Sequence, residues 1–209
     1  MFDYIVKDVM EVVGYLPIGI LCGILAVAIY IVCVWNAGRK RHLDIYLSDG
    51  SSEMAENNVP DAVSTGTHIW NSIVWFLLGV YLAVMFVTVF LSREPGSRQG
   101  IDMTLFGTWG ETPQAHAFVI ENILLFVPFG ILYPLAVSAT DRKTDFRRKT
   151  GWEKFTVLWG FLISVGIETV QLITERGYCQ LDDVVMNTLG ALVGYAIFAS
   201  TKIVFAGKR

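Results

Sequence analysis

Charge is what this sequence lacks most. Asp, Glu, Lys and Arg make up only 17% of its 209 residues, against about 25% in soluble domains. Cysteine is scarce as well. Cys22 and Cys33 lie eleven residues apart on one predicted helix, about 16 Å along its axis, which is too far for a disulfide. Cys179 has no evident partner, so a disulfide-stapled secreted scaffold is excluded. A basic excess is missing too: 16 Lys and Arg stand against 19 Asp and Glu, a net charge of −3. No overall field therefore draws nucleic acid. Standard catalytic strings are also absent, with no Gly-x-Ser-x-Gly, His-Glu-x-x-His or Walker loop.

What is present is long uncharged runs. Val12–Trp35 and Ile69–Leu91 contain no Asp, Glu, Lys, Arg or His, and each exceeds the roughly 20 helical residues that cross a 30 Å hydrocarbon core. Residues 118–139 are interrupted only by Glu121 and Asn122, and 155–173 only by Glu168 and Gln171. Residues 184–205 carry Asn187 near one end and Lys202 near the other. The predicted fold is an all-α, polytopic membrane bundle with five transmembrane helices at 12–35, 69–91, 118–139, 155–173 and 184–205. The runs are continuous rather than alternating, which excludes a β-barrel.

The first run is a retained helix rather than a cleaved leader. Asp3, Asp8 and Glu11 precede it against a single Lys7, and Arg39-Lys40-Arg41 follow it. Basic residues also set the orientation. With the N-terminus outside, twelve of the sixteen Lys and Arg fall on the inner side, so the expectation is N-out and C-in. Residues 36–68 then read as a polar cytoplasmic loop, too poor in apolar surface to build a core. Asp141–Lys154 reads as a basic loop near anionic headgroups. Trp70, Trp75, Trp109, Trp152 and Trp159 fall near predicted membrane boundaries, as an aromatic belt would.

In that orientation the polar residues of the last three spans gather in the outer leaflet. Glu121 and Asn122 lie within about a turn of the outer end of the third span, and Glu168 and Gln171 in the last two turns of the fourth. Glu175, Arg176, Asp182 and Asp183 lie in the connecting loop, with Asn187 just inside the fifth. Ser164, Glu168, Gln171 and Glu175 share one helical stripe, and Asp183, Asn187, Gly190 and Gly194 another. A carboxylate facing lipid costs several kcal/mol, so both stripes are expected at a shared seam, brought close by Gly190, Ala191 and Gly194. Two readings stand. In one, Arg176 pairs with Glu168 or Asp182 while Asp183 and Asn187 cap and join helices. In the other, Glu121, Asn122, Glu168, Gln171, Arg176, Asp182, Asp183 and Asn187 bind a ligand. The carboxylate excess favours the second. Pro128 interrupts the third span; its kink reads first as a packed bend beside Gly130, and second as opening a cavity between the third and fourth spans below the carboxylates. His116 is the first candidate for a general base if the protein is an enzyme.

Three strings, read together, resemble the VanZ family. They are Glu121-Asn122-Ile-Leu-Leu-Phe-Val-Pro128-Phe-Gly130, then Ile167-Glu168 with Gln171, then Arg176 followed by Asp182-Asp183-Val-Val-Met-Asn187-Thr-Leu-Gly190. The resemblance covers residues 69–205. It implies a four-helix membrane core at 69–209, to which residues 1–68 add an N-terminal helix and loop. It also implies a link to teicoplanin resistance in the plasma membrane of a Gram-positive bacterium. Members often carry an Asn-Leu-x-Pro-Phe element where this chain has Ile101–Gly107, and an acidic residue where it has Gln180.

The leading functional expectation is a binding protein whose outer-leaflet polar cavity takes a lipid-linked cell-wall component or the lipoglycopeptide itself. A membrane hydrolase or transferase acting on a lipid-linked headgroup is the second, and a small transporter the third. The carboxylates suit a hard divalent cation such as Mg²⁺ or Ca²⁺. Membrane lipids are expected partners and nucleic acid is not. Arg176, with its planar fork of donors, is expected to exchange Asp182 for an anionic headgroup.

Overall fold

The computed structural model describes residues 1–48, 65–96, 100–107, 112–141 and 151–206, with backbone only at 40–48, 65, 140–141 and 204–206. Residues 49–64 of the loop 36–68 and most of the basic loop 141–154, together with Trp109, lie outside the described residues. The architecture is an all-α bundle. Five of its helices are long and apolar enough to cross a membrane: Leu16–Arg39, Gly66–Leu91, Pro113–Ala139, Trp152–Ile173 and Leu181–Ile203. All five predicted spans are present, with ends displaced by up to five residues.

The first run is not one helix. A short helix, α1 (Phe2–Val13), precedes α2 (Leu16–Ser48). They are separated where the Gly14 and Tyr15 N–H groups turn back onto the carbonyls of Glu11 and Val12 at 2.9 and 3.0 Å. Pro17 sits in the first turn of α2, where its missing N–H removes no bond. Charged and apolar residues of α1 alternate at helical spacing, and none of them is fully buried. At its far end α2 continues past Arg39 to Ser48, so the predicted loop does not begin at residue 36. No proline interrupts residues 36–48, and Lys, Arg and Leu there propagate a helix readily.

Helix α2 packs on α3 (Thr65–Phe86) through small residues. A Cβ built on Gly79 would stand 3.0 Å from the Cα of Gly23 and 3.1 Å from the Cys22 carbonyl, so the two backbones touch. Helix α3 runs into a π-helical turn, Val87–Leu91, closed by the Ser92 N–H on the Val87 carbonyl at 2.9 Å. The chain then enters β1 (Ile101–Asp102) and the long α4 (Pro113–Asp141), which contains both Pro128 and Pro134. A 3₁₀ turn, Trp152–Phe155, leads into α5 (Thr156–Ile173). Next come β2 (Cys179–Gln180) and α6 (Leu181–Ala206). β1 and β2 form a two-residue parallel ladder, Ile101 opposite Cys179, which fastens the two loops at the α1 end of the bundle.

The core lies where α3, α4, α5 and α6 converge, on Met85, Phe126, Phe129, Ile167 and Ala191. Outward apolar side chains such as Ile24, Leu25, Leu162 and Val193 are exposed, as lipid-facing residues are. The glycine stripe of α6 serves a different neighbour from the one expected. Gly190 and Gly194 press on the Ile123 and Val127 carbonyls of α4, and Gly194 also meets Gly130, while Ala191 faces Gly160 of α5. Only a bare Cα allows that approach, so α4 and α6 make the closest pair in the bundle.

Candidate functional site

At the α1 end, α1, α3, α4, α5 and α6 surround a cavity of about 770 Å³, within the range of about 300–1,000 Å³ usual for small-molecule sites. Its wall is mostly apolar, from Val84, Met85, Phe118, Leu124 and Leu125 among others. Polar groups enter from every helix. Seven of the eight predicted site residues line it: Glu121, Asn122, Glu168, Gln171, Arg176, Asp183 and Asn187; Asp182 does not.

Fourth-span residues Ser164, Glu168 and Gln171 are buried together on one face of α5, at 0%, 3% and 2% exposure. Glu175 leaves the stripe, because α5 ends at Ile173 and Glu175 takes a left-handed backbone with φ of 54°. Glu168 Oε2 accepts the backbone N–H of Gln180 at 2.9 Å, which ties β2 back to the helix. Gln171 donates from Nε2 to the Val89 carbonyl at 3.1 Å, inside the π-helical turn. Such turns displace backbone groups from the regular ladder and recur at functional sites. In a bilayer a displaced carbonyl needs a partner from the protein, and the Gln171 amide is that partner.

Helix α6 begins at Leu181, three residues earlier than predicted, so Asp182 and Asp183 fall in its first turn, where the helix dipole favours anions. Asp183 Oδ1 accepts Asn122 Nδ2 at 2.6 Å, and Asn187 Nδ2 donates to Ser164 Oγ at 2.8 Å. Helix α6 thus bonds to α4 through one residue and to α5 through the next turn. Helix α4 begins at Pro113 rather than 118, which places Glu121 and Asn122 more than two turns inside it.

The expected exchange between Arg176 and Asp182 is not what the geometry holds. Arg176 Nη1 donates to the backbone carbonyls of Phe90 and, at 3.1 Å, of Arg93. Asp182 Oδ1 accepts the N–H of Phe106 at 2.5 Å. Arg176 therefore serves the π-helical turn and a residue just past it, and Asp182 a loop amide. Among the described residues no three His, Cys, Asp or Glu side chains converge as a metal's ligand set. His116 does not line the cavity. Pro128 does, as its position in the third span suggested.

A sequence model of the VanZ/LLP1 family matches residues 48–204, well over half of the chain. The chain belongs to the VanZ/LLP1 family. Among curated proteins and solved structures nothing matches it. The family match starts at Ser48, the last residue of α2, so α1 and nearly all of α2 precede it.

Several cavity residues of this VanZ/LLP1 protein were not legible in its sequence. Arg93 and Glu94 follow the π-helical turn into the cavity wall, and the Arg93 guanidinium lies within Coulombic reach of Glu168 and Asp183. Asp8 and Glu11 arrive from α1, and Asp8 approaches Glu121. Thr88 and Tyr81 come from the span that carries no charge; the Tyr81 hydroxyl donates to the Leu125 carbonyl at 2.9 Å. Outside the spans, burial pushes the Cys179 thiol pKa up, and the nearby Glu168 and Asp183 carboxylates push it the same way. The Thr104 backbone N–H, 2.9 Å from Asp102 Oδ1, holds that carboxyl below its usual range.

Proposed function

We propose that this VanZ/LLP1 membrane protein contributes to glycopeptide and lipoglycopeptide (teicoplanin) resistance by binding, in its α1-end cavity, a lipid-linked cell-wall component or the antibiotic itself. The cavity opens to the outer leaflet of a Gram-positive plasma membrane, with the N-terminus outside and the C-terminus inside. Its architecture carries the reading. An apolar wall on α3 and α4 meets a buried polar set on α5 and α6, the arrangement an amphiphile needs, with its chain on one side and its head on the other.

Glu121, Asn122, Glu168, Gln171, Asp183 and Asn187 are the proposed ligand-facing residues. Arg176 and Asp182, which hold loop backbone at 3.1 and 2.5 Å, position the loops that close the site. The partners are membrane lipids and the lipid-linked or lipoglycopeptide ligand; no cofactor is invoked.

The test is expression of the chain in a susceptible Gram-positive strain beside its Glu121→Gln variant, with membrane abundance measured for both. The wild type raises the inhibitory concentration of teicoplanin and the variant does not. Equal resistance at equal abundance removes the cavity from the mechanism. A lipid or wall precursor that changes in mass on expression would favour the hydrolase or transferase instead. Orientation is read in the same cells: a tag before Met1 is reached by protease from outside and one after Arg209 is not.

A further inference from the structure

The buried polar atoms that this cavity leaves without partners are all oxygens. Each of its amide nitrogens already donates one bond: Gln171 Nε2 to the Val89 carbonyl at 3.1 Å, Asn122 Nδ2 to Asp183 at 2.6 Å and Asn187 Nδ2 to Ser164 at 2.8 Å. Because the Gln171 nitrogen faces a carbonyl, the amide cannot be turned round without setting two oxygens against each other. Arg176 is committed to the Phe90 and Arg93 carbonyls. What remains is oxygen. Gln171 Oε1, Asn187 Oδ1 and Glu121 Oε1, and the Thr88 hydroxyl, which can donate as well as accept, are buried with no hydrogen-bond partner within the protein, and all four side chains line this cavity. Gln171 and Asn187 are only 2% and 3% exposed, so bulk water does not readily compensate them, and an unmet buried polar atom costs about 1–3 kcal/mol.

Charge points the same way. Asp8, Glu11, Glu94, Glu121, Glu168 and Asp183 line the cavity against Arg93 and Arg176. A phosphate or carboxylate head would bring more acceptors to a site short of donors. A hydroxyl brings a donor and an acceptor together. An ammonium brings three donors and no acceptor, and its charge opposes the excess of carboxylates.

We propose that the cavity receives the primary ammonium head of a long-chain amphiphilic amine, held by the oxygens of Glu121, Gln171 and Asn187 while its chain lies along the wall formed by Val84, Met85 and Leu125. This names the ligand chemistry of the site described above and rests on that site being a binding cavity.

The experiment uses the full chain in phosphatidylcholine nanodiscs and three probes that differ only in the head: dodecylamine, dodecyl glucoside and dodecyl phosphate. Native mass spectrometry at neutral pH gives the affinity of each. Dodecylamine binds saturably and at least about tenfold more tightly than dodecyl phosphate, and Glu121→Gln weakens it by about tenfold while leaving the glucoside unchanged. Phosphate binding as tightly as amine in the wild type overturns the proposal without need of any variant. An amine affinity unmoved by Glu121→Gln in a folded protein overturns it as well. In both cases the cavity still binds, and the reading on which the proposal rests survives. Absence of saturable binding by all three probes overturns both. Adding phosphatidylethanolamine to the nanodisc separates two sources of the ammonium. Displacement of dodecylamine supports a membrane aminolipid, and retention supports a long-chain amine arriving from the aqueous side.

Discussion

Gln171 on α5 reaches across to α3, where its Nε2 lies 3.1 Å from the carbonyl oxygen of Val89. Two irregularities meet in that bond. The π-helical turn at Val87–Leu91 displaces backbone carbonyls at membrane depth, and a buried amide would be costly without a partner. Each resolves the other, and together they hold the cavity floor.

Gln171→Leu removes the donor and keeps most of the volume. The Val89 carbonyl is then left unpaired, at a cost of about 1–3 kcal/mol. The expected outcome is a lower Tm in detergent and reduced membrane abundance. An unchanged Tm would mean that the π-helical turn does not need the amide.

Arg176 and Asp182 act on backbone, which sets the order of their variants. One Arg176 nitrogen serves the Phe90 and Arg93 carbonyls, and a lysine ammonium supplies equivalent donors. Arg176→Lys should therefore be milder than Arg176→Leu in both Tm and abundance. Asp182→Asn keeps an oxygen for the Phe106 N–H and loses about 0.3–1 kcal/mol of helix-dipole stabilisation. Asp182→Ala strands that N–H and should cost about 1–3 kcal/mol. Folded, stable Arg176→Lys protein that has lost teicoplanin resistance would instead restore the headgroup role expected from sequence.

The α4–α6 contact can be probed with one methyl group. A Cβ on Gly194 would collide with the Val127 carbonyl and lie 2.8 Å from the Gly130 Cα, so Gly194→Ala should cost about 1–3 kcal/mol. Gly166 on α5 has nothing within 4 Å of the same added atom. Gly166→Ala should be neutral or stabilise by up to about 1 kcal/mol. Equal melting temperatures for the two variants would refute this packing.

Cys179 reports on the carboxylates. Its thiol pKa is raised by burial and by Glu168 and Asp183, so the thiolate is scarce at neutral pH and alkylation is slow. The rate at Cys179, followed by peptide mass spectrometry, should climb by about tenfold per pH unit through pH 7–8. Glu168→Gln removes one of the two charges and should accelerate labelling at fixed pH. A rate indifferent to Glu168→Gln would show that the carboxylate does not act on the thiol.

The five spans were legible because lipid imposes a length on any apolar helix, and uncharged runs such as Val12–Trp35 declare it in one dimension. The α5 face was legible for a similar reason: Ser164, Glu168 and Gln171 recur at helical spacing, and a carboxylate in a membrane has few places to face. Helix α1 was not. Its charges, Asp3, Lys7, Asp8 and Glu11, read as a flank to the first span, and only the turn at Gly14 separates it as a helix of its own. Nor was the place of Arg93 in the cavity wall, since no local pattern links it to residues some eighty positions away.

Sequence by itself determined the class, the number of spans, the family resemblance and the set of polar residues that must avoid lipid. These follow from solvent: each residue's cost in hydrocarbon is a property of that residue and its near neighbours. Tertiary structure alone decided who partners whom. Arg176 went to the π-helical turn and not to Asp182, the α6 glycines went to α4 and not to α5, and Asp183 went to Asn122. A guanidinium or an amide in a membrane must find a partner, but which one depends on the carbonyls that helix breaks leave unpaired at the same depth. That is set by how the helices cross.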